Sequence, residues 1–162
     1  MRILGIDPSV RSTGYAVVEW SGGAARALVF GKIANVASLS HSACLLNIYE
    51  RLKEVMEQYR PEEAAVEGVI YVQNRSTAIA LGAARGAALV AVAERGVLIF
   101  EYPARSIKKA TTGCGAAAKN QVGFMMRAVL GLKETPGSDE ADALAIALTH
   151  AQKAAFLKRR SI

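Results

Sequence analysis

The order of strand and helix patterns along the chain restricts the fold more than any other sequence feature. Three strand-like segments come first, at residues 2–7, 14–20 and 25–34. Their Val-rich and aromatic content favours β-structure, and Ser21-Gly22-Gly23 is a hairpin signal between the second and the third. We therefore expect three consecutive antiparallel strands.

Helical and strand patterns alternate in the rest of the chain. Two further short strands are predicted at 64–67 and 97–102. Helices are predicted at 39–59, 76–94, 104–110, 118–131 and 139–156. This order predicts an α/β protein whose mixed five-stranded sheet has three antiparallel strands, two more added through helical crossovers, and flanking helices. It resembles the ribonuclease-H-like architecture.

Length and charge set the outer bounds on function. A chain of 162 residues suits one domain, which we place at 1–156, followed by a basic tail at 157–162. Hydrophobic content of 52% and charged content of 21% are typical of a globular protein. The chain has 20 Lys and Arg against 14 Asp and Glu, a net charge of +6. That excess favours a polyanionic partner such as nucleic acid.

The sequence favours a soluble, cytoplasmic protein with no membrane partner. Cys44 and Cys114 lie far apart without metal-ligand spacing, which favours reduced thiols. The first apolar run is too short for a signal peptide, and the longest, at 87–93, is well short of the roughly 20 residues that span a bilayer. Gly82 and Gly86 keep one helix face small, so this helix is expected to pack against another helix or its own copy in a dimer.

Two carboxylates stand where predicted strands end. Asp7 closes the first apolar run and Glu67 closes a short run at 64–66. A carboxylate at the mouth of a buried strand needs a cation, a metal or hydrogen-bond donors. The alternative for Asp7 is a turn-capping role through its Asp-Pro pair with Pro8.

A third acidic cluster opens the last predicted helix. Asp139 and Asp142 share one helical face, whereas Glu140 points elsewhere. The apolar residues around Asp142 indicate that this face looks at the protein. Acids near a helix N-terminus are also favoured by the helix dipole, so simple capping remains the alternative for Asp139.

Four carboxylates gathered in a basic protein favour divalent-metal chemistry. They would repel one another and any phosphate, and a bound Mg²⁺ ion would offset both repulsions. Two ions roughly 3.5–4 Å apart stabilise the attacking and the leaving oxygen of a phosphodiester. Lys108 and Lys119 flank the 113–115 loop and could hold phosphate, or be ordinary surface lysines. His41 and His150 are predicted to be surface or helix-end residues without a part in this chemistry.

Several motifs, in order over residues 2–151, resemble the RuvC-type Holliday-junction resolvases. The matching segments are 3–8, 13–15, 66–67, 81–86, 100–102, 104–105, 121–122 and 139–147, with Asn74, Lys108, Gly113, Gly115 and Lys119. The most specific is 139–147, Asp-Glu-Ala-Asp-Ala-Leu-Ala-Ile-Ala. Four positions depart from the usual pattern: Ser9, Gly68, Ile70 and Ala118.

The resemblance implies a homodimeric, Mg²⁺-dependent endonuclease that cuts four-way DNA junctions by symmetric nicks during recombination and repair. It implies two metal ions per site, with Mn²⁺ able to substitute, and functional association with the RuvA and RuvB branch-migration proteins. The metal-binding catalytic acids it implies are Asp7, Glu67, Asp139 and Asp142. Lys119 is implied as a further catalytic residue. Residues implied to contact DNA are Ile70, Tyr71, Asn74, Arg75, Lys108 and Lys119. Two alternatives are a junction-binding protein that does not cut and a related nuclease acting on RNA.

Overall fold

The computed structural model describes residues 1–68 and 74–154 of the chain. Its sheet has five strands in the order β3-β2-β1-β4-β5. The strands are β1 (Arg2–Asp7), β2 (Ser12–Ser21), β3 (Ala24–Ala34), β4 (Glu63–Gly68) and β5 (Leu98–Pro103). The first three pair antiparallel, whereas β4 joins β1, and β5 joins β4, in parallel. The mixed sheet predicted from the sequence is confirmed.

Five helices complete the described part of the chain. They are α1 (His41–Tyr59), α2 (Arg75–Ala93), α3 (Ala104–Thr112), α4 (Lys119–Leu130) and α5 (Ser138–Ala154). Their starts, and those ends that lie in the described part, agree with the predicted ones to within two residues. The predicted end of α5 at 156 and the predicted basic tail at 157–162 lie outside the described residues.

The sheet is covered by helices on both faces. Leu4 and Ile6 of β1 belong to a core shared with α1 and α2, whereas Ile3 belongs to a core shared with α3, α4 and α5. Side chains alternate along a strand, so Gly5 and Asp7 belong to the face of Ile3. Asp7 therefore ends β1 on the side that α5 covers.

Gly5 allows α5 to lie directly on the sheet. A Cβ at Gly5 would lie 2.1 Å from the carbonyl oxygen of Ala143 and 2.9 Å from the Cβ of Ala147. No side chain fits in that space. The small residues of α5 and Gly5 thus bring the helix backbone against β1, and ten of its residues are buried.

His150 is buried in this second core, so its prediction as a surface or helix-end residue is wrong. Its side chain is 0% exposed, and its Nε2 is hydrogen-bonded to Glu63 Oε2 at 2.6 Å. Its Nδ1 is hydrogen-bonded to the Tyr102 hydroxyl at 2.7 Å, and its ring stacks on Phe100. The His therefore links α5 to β4 and β5, a long-range contact that its helical position did not reveal. His41 is exposed at the start of α1, as expected.

The helix α2 keeps much of its apolar surface uncovered. Within the described residues, it is the one helix long and apolar enough to cross a membrane by length and composition alone. It packs on α1, yet only 22% of it is buried. Ile79 is 72% exposed and Val90 is 59% exposed. The uncovered face is therefore suited to a contact outside the single chain.

Candidate active site

Asp7 and Glu67 lie at the same edge of the sheet, on neighbouring parallel strands. Ile6 of β1 is in register with Val66 of β4, and each acid is the next residue along its strand. Because parallel strands end at the same edge, the two carboxylates are neighbours. The sequence placed both acids at strand ends, and the register places them side by side.

The N-terminal turn of α5 brings two more carboxylates to this edge. Gly14 is the strand partner of Asp7, and a Cβ on Gly14 would lie 2.0 Å from the carbonyl oxygen of Asp139. The start of α5 therefore rests on the ends of β1 and β2. Asp142 lies on the same helix face as Asp139, one turn along, and is half-buried.

Local hydrogen bonds separate the roles of the acids in this turn. Ser12 of β2 donates its hydroxyl hydrogen to Oδ2 of Asp139. Glu140 is directed elsewhere and its Oε2 accepts the backbone N–H of Gly137 at 2.6 Å. Glu140 thus caps the helix start, and Asp139 is held toward the sheet edge.

The electrostatics of the cluster show how closely these acids interact. Burial, followed by the charges of Asp142, Glu67 and Asp139, raises the pKa of Asp7 to about 7. Burial and the charge of Asp142 also raise the pKa of Glu67. A pKa near neutrality for an aspartate means that, without a cation, the site resists carrying all its negative charges at once.

Lys119 and Lys108 are the two cations whose charges act on the pKa values of Glu67 and Asp142. The Nζ of Lys119 lies 3.8 Å from Oδ2 of Asp142, and its side chain is 76% exposed. Burial raises the pKa of Asp142, while Lys119 and Lys108 oppose that rise. Both lysines also oppose the rise in the pKa of Glu67. The two lysines therefore border the acidic cluster.

The carboxylates form an open cluster suited to a hard divalent cation. Over residues 1–68 and 74–154, no group of three or more His, Cys, Asp or Glu side chains is arranged so that it could hold a metal ion by itself. Mg²⁺ does not need one, because it keeps several waters and binds through one or two carboxylates plus substrate phosphate. The all-oxygen donors and the raised pKa of Asp7 both fit such an ion.

The four residues between 70 and 75 that are predicted to contact DNA are only partly described. Asn74 is the N-cap of α2, where its Oδ1 accepts the backbone N–H of Thr77 at 3.2 Å. Arg75 is the first residue of α2 and is exposed. Ile70 and Tyr71 lie outside the described residues.

The sequence analysis assigned no role to three side chains that lie at or next to the acidic cluster. Ser12 contacts Asp139, and Arg85 and Glu101 pair beside Glu67. A signal existed for Arg85, which is the lone charged residue inside an otherwise apolar α2 after its first position. Ser12 carried no such signal, since its contact is with a residue 127 positions away.

The sequence matches the family model described as crossover junction endodeoxyribonuclease RuvC over residues 3–150. The matched span covers nearly the whole chain and includes all four clustered acids. The chain belongs to the RuvC family. RuvC proteins are metal-dependent endonucleases, which agrees with the open carboxylate cluster described above.

Two curated RuvC relatives align over almost their full length. The RuvC of Akkermansia muciniphila is 52% identical over 158 residues, covering 98% of this chain and 95% of that protein. The RuvC of Bordetella avium is 45% identical over 161 residues, covering 99% and 89%. Both are described as crossover junction endodeoxyribonucleases.

One solved RuvC structure and one more distant resolvase structure share the fold of this chain. Thermus thermophilus RuvC in complex with a Holliday junction substrate has a TM-score of 0.93 and 38% identity, covering 100% of this chain and 99% of that one. The yeast mitochondrial Holliday junction resolvase Ydc2 has a TM-score of 0.65 at 12% identity, covering 95% and 80%. The second likeness concerns the fold alone. The ribonuclease-H-like architecture expected from the element order is confirmed.

Proposed function

We propose that this RuvC-family protein resolves four-way DNA junctions by metal-dependent hydrolysis of two phosphodiesters in strands of like polarity. The observation that carries the proposal is the meeting of Asp7, Glu67, Asp139 and Asp142 at one sheet edge of a basic protein. A RuvC relative with 38% identity has been solved with a Holliday junction substrate. Retention of all four acids favours cutting over junction binding alone.

The metal is proposed to be Mg²⁺, with two ions per site and Mn²⁺ able to substitute. Asp7, Glu67, Asp139 and Asp142 would hold the ions through oxygen ligands. When bound, the metal supplies activation of water and stabilisation of the leaving 3′ oxygen. Support comes from the raised pKa of Asp7, because burial and then the neighbouring carboxylates raise it, and a bound cation would oppose both effects.

The other site residues are proposed to position DNA. Lys119 and Lys108 would bind phosphate oxygens next to the acids, and Lys119 is exposed enough to reach a strand. Asn74 and Arg75 at the start of α2, with Ile70 and Tyr71, would contact the junction. Phosphate contacts of this kind position the strand without reading its sequence.

The active assembly is proposed to be a homodimer formed through α2. Outside its own helix, an added Cβ at Gly82 or Gly86 would meet no atom of the described residues within 4 Å, and Val90 is 59% exposed. A second copy is the occupant that gives two equivalent sites, and a two-fold axis suits paired cuts on a junction with approximate two-fold symmetry. Cytoplasmic location and association with RuvA and RuvB are part of the proposal and rest on family membership.

The test is nicking of a synthetic four-way junction compared with linear duplexes of the same arm sequences. With Mg²⁺ we expect nicks near the branch point and little cutting of duplex. Tight binding without cutting, in Mg²⁺ or Mn²⁺ and across varied core sequences, would favour the binding-only alternative. Preferred cutting of RNA would favour a different ribonuclease-H-like nuclease.

A further inference from the structure

The side chain of Arg85 reaches from the middle of α2 to the end of β4. Its Nη1 donates a hydrogen bond to the backbone oxygen of Glu67 at 2.7 Å. Its Nη2 forms an ion pair with Oε2 of Glu101 on β5. The Arg85 side chain is only 15% exposed, so the guanidinium is enclosed between the helix and the sheet edge.

Gly68 provides the space that Glu101 occupies. A Cβ on Gly68 would lie 2.6 Å from Oε1 of Glu101 and 3.1 Å from its Cγ. The Glu101 carboxylate therefore packs on the main chain immediately after Glu67. Any residue with a Cβ at position 68 would displace this carboxylate.

Stability alone is a poor explanation for this arrangement. A partly buried ion pair loses much of its Coulomb energy to desolvation, so such pairs are weak contributors to folding. Its two contacts instead converge on the peptide units around one residue, Glu67. A metal-ligating side chain has to be held within about 0.5 Å of its productive position by supporting contacts.

We infer that Arg85 and Glu101 form a positioning pair that fixes the backbone at Glu67 and Gly68 and so directs the Glu67 carboxylate into the acidic cluster. Arg85 holds the carbonyl of Glu67 from the α2 side, and Glu101 holds Arg85 while covering Gly68. Neither residue touches the reacting phosphate. The inference rests on the proposed function, since it concerns the ligand geometry of that same site.

The first experiment compares Arg85→Gln and Arg85→Lys with the wild type in the full-length protein. Loss of supporting contacts around a metal ligand costs about 10–100-fold in metal affinity or activity. We expect single-turnover junction nicking to fall by about that factor and the Mg²⁺ concentration at half-maximal rate to rise. Junction affinity in Ca²⁺ should stay unchanged. Arg51→Gln, which breaks the exposed Arg51–Glu54 pair on α1, is the matched control and should change none of these.

A second pair of variants keeps the inference testable if the Arg85 variants fold poorly. Gly68→Ala forces the Glu101 carboxylate to move and should lower the nicking rate and raise the Mg²⁺ midpoint. In a Glu101→Ala background the carboxylate that the new methyl group would displace is absent. Gly68→Ala should then cause little further change in the nicking rate or the Mg²⁺ midpoint. Strictly multiplicative effects of the two substitutions would show that they do not act through one contact.

The outcomes separate this inference from the proposed function. Wild-type protein that fails to nick any junction overturns the proposed function. Wild-type protein that nicks normally, with Arg85→Gln matching it in rate and Mg²⁺ midpoint, overturns the positioning pair alone. Equal losses of junction affinity and nicking in Arg85→Gln would also overturn it, because they would place Arg85 in DNA binding.

Discussion

Gly14 lies so close to Asp139 that a Cβ at residue 14 would be 2.0 Å from the Asp139 carbonyl oxygen. Gly14 is also the strand partner of Asp7. The same glycine therefore sets how near the start of α5 can come to the end of β1. Because Gly14 has no side chain, the backbone of Asp139 can lie close to the backbone of Asp7.

Gly14→Ala should separate these backbones. The new methyl group overlaps main-chain atoms of Asp139, which cannot rotate away as a flexible side chain could. We expect the free energy of unfolding in urea to fall by about 1–3 kcal/mol. Junction nicking should fall further than the unfolded fraction accounts for, because Asp139 moves. Wild-type nicking in a folded Gly14→Ala protein would contradict the role given to this contact.

The pH dependence of stability should reveal the crowded acids in metal-free protein. The pKa of Asp7 rises from 3.8 to about 7 on folding, so between these pH values the folded state binds more protons than the unfolded state. Stability contributed by this group therefore falls as pH rises through that window. In EDTA, the Tm of the wild type should be lower at pH 8 than at pH 5.

Asp7→Asn should remove much of that loss. Each unit of pKa shift corresponds to about 1.4 kcal/mol, so we expect Asp7→Asn to gain about 2–4 kcal/mol in unfolding free energy at pH 8 and little at pH 4. Mg²⁺ at pH 8 should stabilise the wild type more than the variant. Glu54→Gln, on exposed α1 surface, is the control. An identical Tm profile for wild type and Asp7→Asn would contradict the burial of Asp7 among charges.

Lys119→Gln should weaken both phosphate attraction and the site itself. The change removes the cation 3.8 Å from Asp142, so the pKa of Asp142 rises. We expect nicking to fall by about 10²-fold and the salt slope of junction binding to decrease by about 1. Lys53→Gln on α1, where the amine pairs with Glu94, should leave both quantities unchanged. Unaltered nicking in Lys119→Gln would restore the ordinary surface-lysine interpretation.

Val90→Glu should test the α2 interface. A charge placed within an apolar contact is left without a partner when a second copy packs there. Sedimentation should show a monomer for Val90→Glu and a dimer for the wild type. Leu46→Glu on α1, at a site 55% exposed, is the matched control and should remain dimeric. A dimeric Val90→Glu protein would place the interface elsewhere.

Much of the fold could be predicted because it depends on local patterns. Alternating and helical periods identified every strand and helix of the described part. Asp7 and Glu67 could be predicted as a pair because both end buried strands, and such ends meet at one sheet edge. Asp142 stood out because a charge interrupts an apolar helix face.

The rest depends on contacts between distant residues, which leave no local signal. The sequence predicts His150 as a helix-end residue. In the structure its ring is hydrogen-bonded to Glu63 of β4 and Tyr102 of β5. Nothing in the local sequence around Gly68 indicates its contact with the Glu101 carboxylate, which lies 33 positions away. Asn74 was expected to contact DNA, and that prediction stands beside its role as the N-cap of α2.

The most direct test of the central proposal is the cutting of a supercoiled plasmid that extrudes a cruciform. Paired nicks across one junction, made before the protein dissociates, convert the plasmid to a linear form, whereas single nicks give open circles. With Mg²⁺ we predict linear plasmid as the first product, with nicks that a ligase can seal after release. Asp7→Asn should give neither product while still binding the junction. Open circles as the sole product, or equal cutting of a plasmid without the cruciform, would contradict the account.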